Sequence, residues 1–537
     1  MSGLERLRLE RRVARVLAAW DGTGPGVSVG VVQEGALVVQ RSAGLASLEL
    51  GVPIGPDTCF RVASVSKQFT CALVLMEVQA GRIDLAAEAR RYLPEMPDYG
   101  TPVTVAHLLH NVSGLRDMFD LMRHGGADLA QPVSPAQMLA CVLRPHGLNF
   151  APGSRYLYSN SGFLLLGHIL ERVTGEALPD LLEKRIFLPL GMTRTRMTPS
   201  TATPVPGLAT GYLPQGTGWV RAGHAFPLGG EGGLVSCIED LALWAENART
   251  GRLGGTWLRA EQERQIAFTG GGEADYACGL MVGRHRGLRT YSHGGLWPGF
   301  KAEFLRCPAA GTAVIVLSNN GAADPYHVAR EVLDAVVEGR PDVQPVPPMP
   351  PRAAQEALVG LWLEAASART VEISFDAAGR LGGNINGTPF RLVPAEDGRL
   401  RADHAVRDFF CRLAADGALE VEFDAGVTAR LERVPPGGTL PDGLAGVYAC
   451  PDTGAEWTLV PAVAGMEARV RGPVLAAAEP FAVAPVAGDA IRILLPSSLF
   501  RAWMDVQVCR EKGAVTGLMV RGNRARELFY KRVEGSR

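Results

Sequence analysis

Lysine is scarce in this chain. Of 54 basic residues only five are lysine, at 67, 184, 301, 512 and 531, and the other 49 are arginine. Arginine cannot be deprotonated in a protein, whereas burial can bring lysine to neutrality. A chain that uses arginine almost everywhere for positive charge draws attention to the places where it keeps lysine. Other absences narrow the function classes. The formal charge is −1, so there is no electrostatic footprint for nucleic acid or an acidic membrane surface. No run approaches the roughly 20 apolar residues of a membrane-spanning helix. The nine cysteines stand at 59, 71, 141, 237, 278, 307, 411, 450 and 509. Their number is odd and no C-x-x-C occurs, which argues against a disulfide framework and a Cys-rich zinc site. Met1 to Trp20 lacks an apolar h-region and reads as an amphipathic helix, not a signal peptide. The expectation is a soluble, reduced, cytoplasmic protein.

What is present is ordinary globular composition, 47 % hydrophobic and 20 % charged over 537 residues, a length that predicts about two to four domains. Lys67 lies in Arg61-Val62-Ala63-Ser64-Val65-Ser66-Lys67-Gln68-Phe69-Thr70, followed by the apolar run Cys71 to Val78 and by Gly81. Gly81 suits the C′ position of a helix. Ser64 stands where that helix begins and Lys67 three residues on, so hydroxyl and amine share a face. A serine needs a base to become a nucleophile, and a lysine among apolar neighbours can be that base once uncharged. The plainer reading is an N-cap serine with a snorkelling lysine.

Along the chain, Val27 to Val32 and Ala36 to Gln40 read as a hairpin turning at Gln33-Glu34-Gly35. Helices are expected over 103–110, over 135–143 after an N-cap at Ser134, over 162–170 and over 325–338. His107 and His110 stand at i, i+3 but lack the glutamate of a zincin motif, and ordinary helix histidines are expected there. His168 reads as a core histidine. The loop Phe150 to Ser161 carries Tyr158 and Asn160, which can point into a cleft or simply pack. Gly229-Gly230-Glu231-Gly232-Gly233 has no P-loop lysine; Ser236 and Asp240 beyond it read as the start of a helix over 238–247. Leu288 to Ser292 is a strand running into His293-Gly294-Gly295, where another backbone can approach closely. A second His-Gly-Gly at 124–126 has no strand before it. Strands over 302–305 and 313–318 complete an antiparallel sheet covered by helices, an α+β arrangement. Residues 341–356 hold a Pro-rich linker, and the chain beyond it contains a repeat. Leu358-Val359-Gly360-Leu361-Trp362 and Leu444-Ala445-Gly446-Val447-Tyr448 open two units, over 357–435 and 436–537, that read as small antiparallel barrels.

Ser64-x-x-Lys67, Tyr158-x-Asn160 and His293-x-Gly295, in that order, resemble the three motifs of the penicillin-recognising serine hydrolases, which include the class C β-lactamases. Ser64 to Ala72, Ser113-Gly114-Leu115-Arg116-Asp117, Pro152-Gly153-Ser154 and His293-Gly294-Gly295 are similar to the bacterial D-aminopeptidases in particular. The resemblance implies a catalytic domain over 1–340, two eight-stranded barrels and a homodimer. It implies no cofactor or metal, and a small peptide, amide or ester substrate. Ser64 would form an acyl-enzyme and Lys67 take its proton. Tyr158, with Lys67 and His293, would pass that proton to the leaving amine. The N–H groups of Ser64 and Leu296 would form the oxyanion hole, beside Gly294 and Gly295, and Asn160 would hold the substrate or Lys67. In that family a loop of the last barrel carries an acidic residue for the substrate's amine. The matching stretch here, with Ser498, Leu499, Phe500, Arg501 and Trp503, has no Asp or Glu, which would weaken selection for a free amine. Its apolar Leu499, Phe500 and Trp503 would favour bulky amides or esters, the plainer reading being barrel strand and core. The reading is a D-stereospecific aminopeptidase or amidase. A broader esterase and a non-catalytic penicillin-binding or assembly protein are its rivals.

Overall fold

The fold is given by a computed structural model, which describes all residues except 1–2, 21, 128–131, 199, 224–225, 396, 404–408, 424–425, 464, 475–478, 496–501 and 534–537. The chain divides into two units. One comprises Met1–Pro94, Pro102–Ser113 and Gly162–Val346; the other comprises Glu95–Thr101, Gly114–Ser161 and Pro347–Arg537.

In the first unit, β-branched runs on either side of Glu34-Gly35 form a hairpin, β1 (Val27–Gln33) and β2 (Ala36–Ala43). Glu34 and Gly35 both take positive φ, 47° and 86°, as a tight primed turn requires. Four later strands join it: β3 (Met281–His285), β4 (Leu288–Trp297), β5 (Phe300–Cys307) and β6 (Thr312–Ser318). The sheet runs β3-β4-β5-β6-β1-β2 with antiparallel neighbours throughout. Strands β1 and β6 are buried along almost their whole length because both faces of the sheet are covered. Leu9, Val13 and Leu17 of α1 (Gly3–Leu17) pack on one face with Val328, Val332 and Leu333 of the helix Pro325–Val337.

Helix α2 (Lys67–Gln79) is buried almost all round and ends at Gly81, with φ of 72°. Phe69 stacks on Trp244 at 4.4 Å, and Trp244 Nε1 donates to Gln68 Oε1 at 3.1 Å. Burying a ring of this size contributes about 1.5–3 kcal/mol. The helix expected over 103–110 is shorter, Val105–Leu109, because Thr104 takes extended backbone and caps it in a reciprocal box with His107. Ser134 caps Pro135–Leu143 as its sequence predicts. The glycine-rich bend ends differently from expectation. Ser236 closes a short strand, Leu234–Ser236, and gives no cap; its hydroxyl pairs with Thr195 at 2.8 Å. Asp240 accepts from Arg194 N and the Thr195 hydroxyl instead of capping its helix, Ile238–Thr250. His168 is half-buried, not a core residue, and pairs with Glu171 across 3.4 Å.

In the second unit, Gly360–Leu363 to Val427–Arg433 and Gly446–Cys450 to Leu528–Arg532 form two closed barrels of eight antiparallel strands. The sequence repeat has a structural cause. Trp362 Nε1 donates to the Leu358 carbonyl at 2.9 Å, and the Tyr448 hydroxyl donates to the Leu444 carbonyl at 2.8 Å, four residues back in each case. Trp362 pairs with Arg433 and Tyr448 with Arg532 where the first strand meets the last. Among the described residues, no helix is long and apolar enough to cross a membrane.

Candidate active site

Ser64 sits in a 3-10 turn, Ala63–Ser66, that runs straight into α2. Ala63 takes φ of 46°, a left-handed conformation that costs a residue with a Cβ about 1–2 kcal/mol. The turn is held against that strain. Ser66 Oγ donates to the Ala63 carbonyl at 2.6 Å and accepts from Leu234 N at 3.1 Å, and Val62 N donates to the Leu234 carbonyl at 3.1 Å. The result is a half-open serine above a wholly buried lysine. Lys67 Nζ donates to Ser64 Oγ at 3.1 Å and to the Glu231 carbonyl at 2.6 Å, with the Phe163 ring 5.2 Å away. Hydroxyl and amine therefore meet, as the i, i+3 spacing predicts.

Glu231 is also wholly buried. Its Oε1 accepts from Gly229 N at 3.1 Å, and its Oε2 has no hydrogen-bond partner among the described residues. Burial raises its carboxyl above the ordinary value, more than the Gly229 bond and nearby Lys67 lower it. The signal for Glu231 was present in the sequence, as one acid inside four glycines.

His293 lies in β4, wholly buried. Its Nδ1 stands 2.7 Å from the Gly294 carbonyl and its Nε2 stands 3.0 Å from the Tyr276 hydroxyl. A carbonyl only accepts, so Nδ1 carries the hydrogen, and in the neutral ring Nε2 takes the tyrosine proton. Nothing in the sequence singled out Tyr276. Gly295 explains its own identity: a Cβ there would stand 2.1 Å from the Val62 carbonyl oxygen. Strand and nucleophile turn lie too close for any side chain. Leu296, next along, is 54 % exposed.

Tyr158 and Asn160 belong to the second unit, and both are buried. Asn160 donates twice to Asp117 Oδ2, from its backbone N and from Nδ2, both at 2.8 Å. Asp117 Oδ1 meanwhile caps the helix Met118–His124 through Phe119 N at 3.0 Å. Asp117 thus fixes the orientation of Asn160. The guanidinium of Arg524 lies 4.6 Å from the centre of the Tyr158 ring. Of the stretch expected to set specificity, Ser498, Leu499, Phe500 and Arg501 lie outside the described residues. Trp503 is not in a loop. It is the second residue of the strand Ala502–Glu511, 6 % exposed, with Arg492 4.4 Å over its ring, which is a barrel-packing position. Among the described residues, no group of three or more His, Cys, Asp or Glu could hold a metal ion.

The sequence profile of the family described as Beta-lactamase matches residues 9–338. The chain belongs to the β-lactamase family. Within that family it is similar over nearly its whole length to D-aminopeptidases. It is 30 % identical over 537 residues to the D-aminopeptidase of Cereibacter sphaeroides, covering 95 % of this chain and 96 % of that one. It is 28 % identical over 522 residues to the D-aminopeptidase of Brucella anthropi, again over 95 % and 96 %. Among solved structures, the D-amino acid amidase of Ochrobactrum anthropi SV3 complexed with D-phenylalanine superposes with a TM-score of 0.54 and 25 % identity, covering 62 % of this chain and 99 % of the amidase. This β-lactamase-family protein is therefore similar to the amidase over a hydrolase-sized part, and to the D-aminopeptidases over the barrels as well.

Proposed function

We propose that the protein is a serine hydrolase releasing N-terminal D-amino acids from peptides or amides through an acyl-enzyme. One observation carries the reading: a wholly buried amine 3.1 Å from the hydroxyl of a half-open serine and donating to a backbone carbonyl at 2.6 Å. Ser64 Oγ attacks the substrate carbonyl while Lys67 takes its proton. The backbone N–H groups of Ser64 and Leu296 receive the charge that develops on the carbonyl oxygen. Tyr158 passes the proton to the leaving amine, the acyl-enzyme forms, and water then releases the D-amino acid. His293, held by Tyr276, orients the strand that carries Gly294, Gly295 and Leu296. Asn160, oriented by Asp117, positions the substrate. The D-aminopeptidase relatives support the stereochemistry and the free-amine end of the substrate. We place the enzyme in the cytoplasm as a homodimer.

The test is a substrate panel: D- and L-alanine p-nitroanilide, p-nitrophenyl acetate and nitrocefin, with Ser64→Ala as control. Turnover of the D-anilide without the L-anilide, lost in Ser64→Ala, is the expected result. Ester turnover alone would sink the D-aminopeptidase reading. A protein inert on all four, with Ser64 unlabelled by a serine-directed probe, would sink the hydrolase reading.

A further inference from the structure

The second barrel delivers a cation to Tyr158 by a loop other than the one the sequence pointed to. Gly522–Glu527 joins the strands Ala514–Arg521 and Leu528–Arg532. Within the second unit this loop is clamped by its backbone. Asp120 Oδ2 accepts from Arg524 N and, at 3.1 Å, from Ala525 N. The Arg524 carbonyl accepts from Asp117 N at 3.2 Å and from Asn149 Nδ2 at 2.9 Å. Asn149 Oδ1 takes Arg526 N at 2.8 Å, and Arg116 reaches the carbonyls of Arg526 and Glu527, each at 3.0 Å. None of these bonds uses the side chain of Arg524.

That side chain is half-buried, with its guanidinium 4.6 Å from the centre of the Tyr158 ring. It has five N–H donors in a planar fork. No acceptor among the described residues takes a hydrogen bond from it, and it makes no ion pair there. Asp120, the carboxylate nearby, spends Oδ2 on backbone N–H groups and has Oδ1 3.7 Å from Arg123. A half-buried fork without an acceptor suits a planar anion, which it can hold through two parallel bonds.

We propose that Arg524 binds the α-carboxylate of the amino acid that leaves, so that the preferred substrates are short D-aminoacyl peptides, dipeptides above all, with a free C-terminus. This rests on the function proposed above, in which Tyr158 protonates the leaving nitrogen. In a dipeptide the carboxylate carbon is two bonds from that nitrogen, and its oxygens are about 2.5–3.7 Å away. A cation stacked on the tyrosine is where such a carboxylate falls. An amide in its place offers no charge and only one acceptor.

The experiment compares D-alanyl-glycine with D-alanyl-glycinamide, which differ only at that carboxyl, on the full-length enzyme. D-alanine p-nitroanilide is run alongside, and thermal melts confirm that the variants fold. Wild type should prefer the free acid by about tenfold or more in kcat/KM, with the difference carried in KM. In Arg524→Met the preference should fall to near unity, and Arg524→Lys, which keeps the charge but not the fork, should retain part of it. A wild type that prefers the glycinamide, or an Arg524→Met enzyme with the wild-type ratio, would overturn the assignment. If the anilide is still cleaved in that case, only Arg524 is misassigned. A wild type inert on all three compounds removes the hydrolase reading, and the role of Arg524 with it.

Discussion

Replacing Gly295 by alanine puts a methyl group where β4 passes the nucleophile turn. The new Cβ would stand 2.1 Å from the Val62 carbonyl oxygen, 3.0 Å from its carbon and 3.2 Å from Ala302 Cβ. Unstrained contacts between heavy atoms begin at about 3.5 Å, so the turn must retreat by roughly 1 Å or more. Val62 cannot move alone, because its N–H is bonded to Leu234 and Ser64 follows two residues later. Overpacking of this kind costs about 1–3 kcal/mol of stability. A nucleophile misplaced by about 1 Å costs on the order of 10²-fold in rate. Gly295→Ala should therefore melt only a few degrees below wild type yet lose about 10²-fold in kcat/KM on D-alanine p-nitroanilide. Gly283→Ala, in β3, is the control. The nearest atom to its Cβ is Thr290 Oγ1 at 3.5 Å, an ordinary contact, and its activity should stay within about twofold of wild type. If Gly295→Ala also stays within about threefold, the close approach does not place Ser64 and the reasoning fails.

Lys67→Met removes the base while keeping an apolar side chain of similar length, so kcat should fall about 10²–10⁴-fold with no loss of melting temperature; a residual rate above a tenth of wild type would assign the base elsewhere. Asp117→Ala removes a helix cap, about 0.5–2 kcal/mol, and releases Asn160, so both melting temperature and turnover should drop; Asp117→Asn, which keeps the capping oxygen, should recover most of the stability but not the hold on Asn160. Burial depresses His124 to about 4, helped by Arg123 and Arg116 and opposed by Asp120. The unfolded chain then binds the proton more readily than the folded one, so stability is complete above pH 6.5 and is lost as pH falls toward 4, by about 3 kcal/mol. Denaturant titrations at steps from pH 7 to pH 4 should show this decline, and His124→Gln should flatten it; an equal decline in the variant would place the effect elsewhere.

Much of the architecture could be read because it repeats short-range rules. The hairpin at Glu34-Gly35, the cap at Ser134 and the i, i+3 pairing of Ser64 with Lys67 are each decided within a few residues. The barrel repeat was visible because the aromatic-to-leucine bond at Trp362 and at Tyr448 fixes the same pattern twice. What escaped was set by contacts distant in sequence. Tyr276 matters only because β4 brings His293 to it, and Arg524 only because a barrel turn is held by Asp120 and Asn149, some 400 and 370 positions earlier. Ser236 had the right residue type for a cap but was drawn into a strand by its pairing with β-structure around Phe60. The misreading of Trp503 has the same origin: an apolar stretch without acids looks alike in a loop and at a strand's start.

The surroundings of Lys67 account for both the rarity of lysine and the glycines around Glu231. An arginine in this place would stay charged, so a base here must be the residue this chain otherwise avoids. The bend at 229–233 runs so close to the core that a Cβ on Gly230 would stand 2.8 Å from the Phe163 carbonyl oxygen and 3.1 Å from Thr70 Cγ2. Thr70 Oγ1 locks that approach by donating to the Gly230 carbonyl at 2.7 Å. The approach delivers the Glu231 carbonyl to Lys67 Nζ, where it accepts at 2.6 Å and orients the amine. Burial raises the Glu231 carboxyl above its ordinary value, against the lowering by the Gly229 bond and nearby Lys67. The bend thus gives Lys67 a direction toward Ser64, which a lysine that must accept the proton of Ser64 requires.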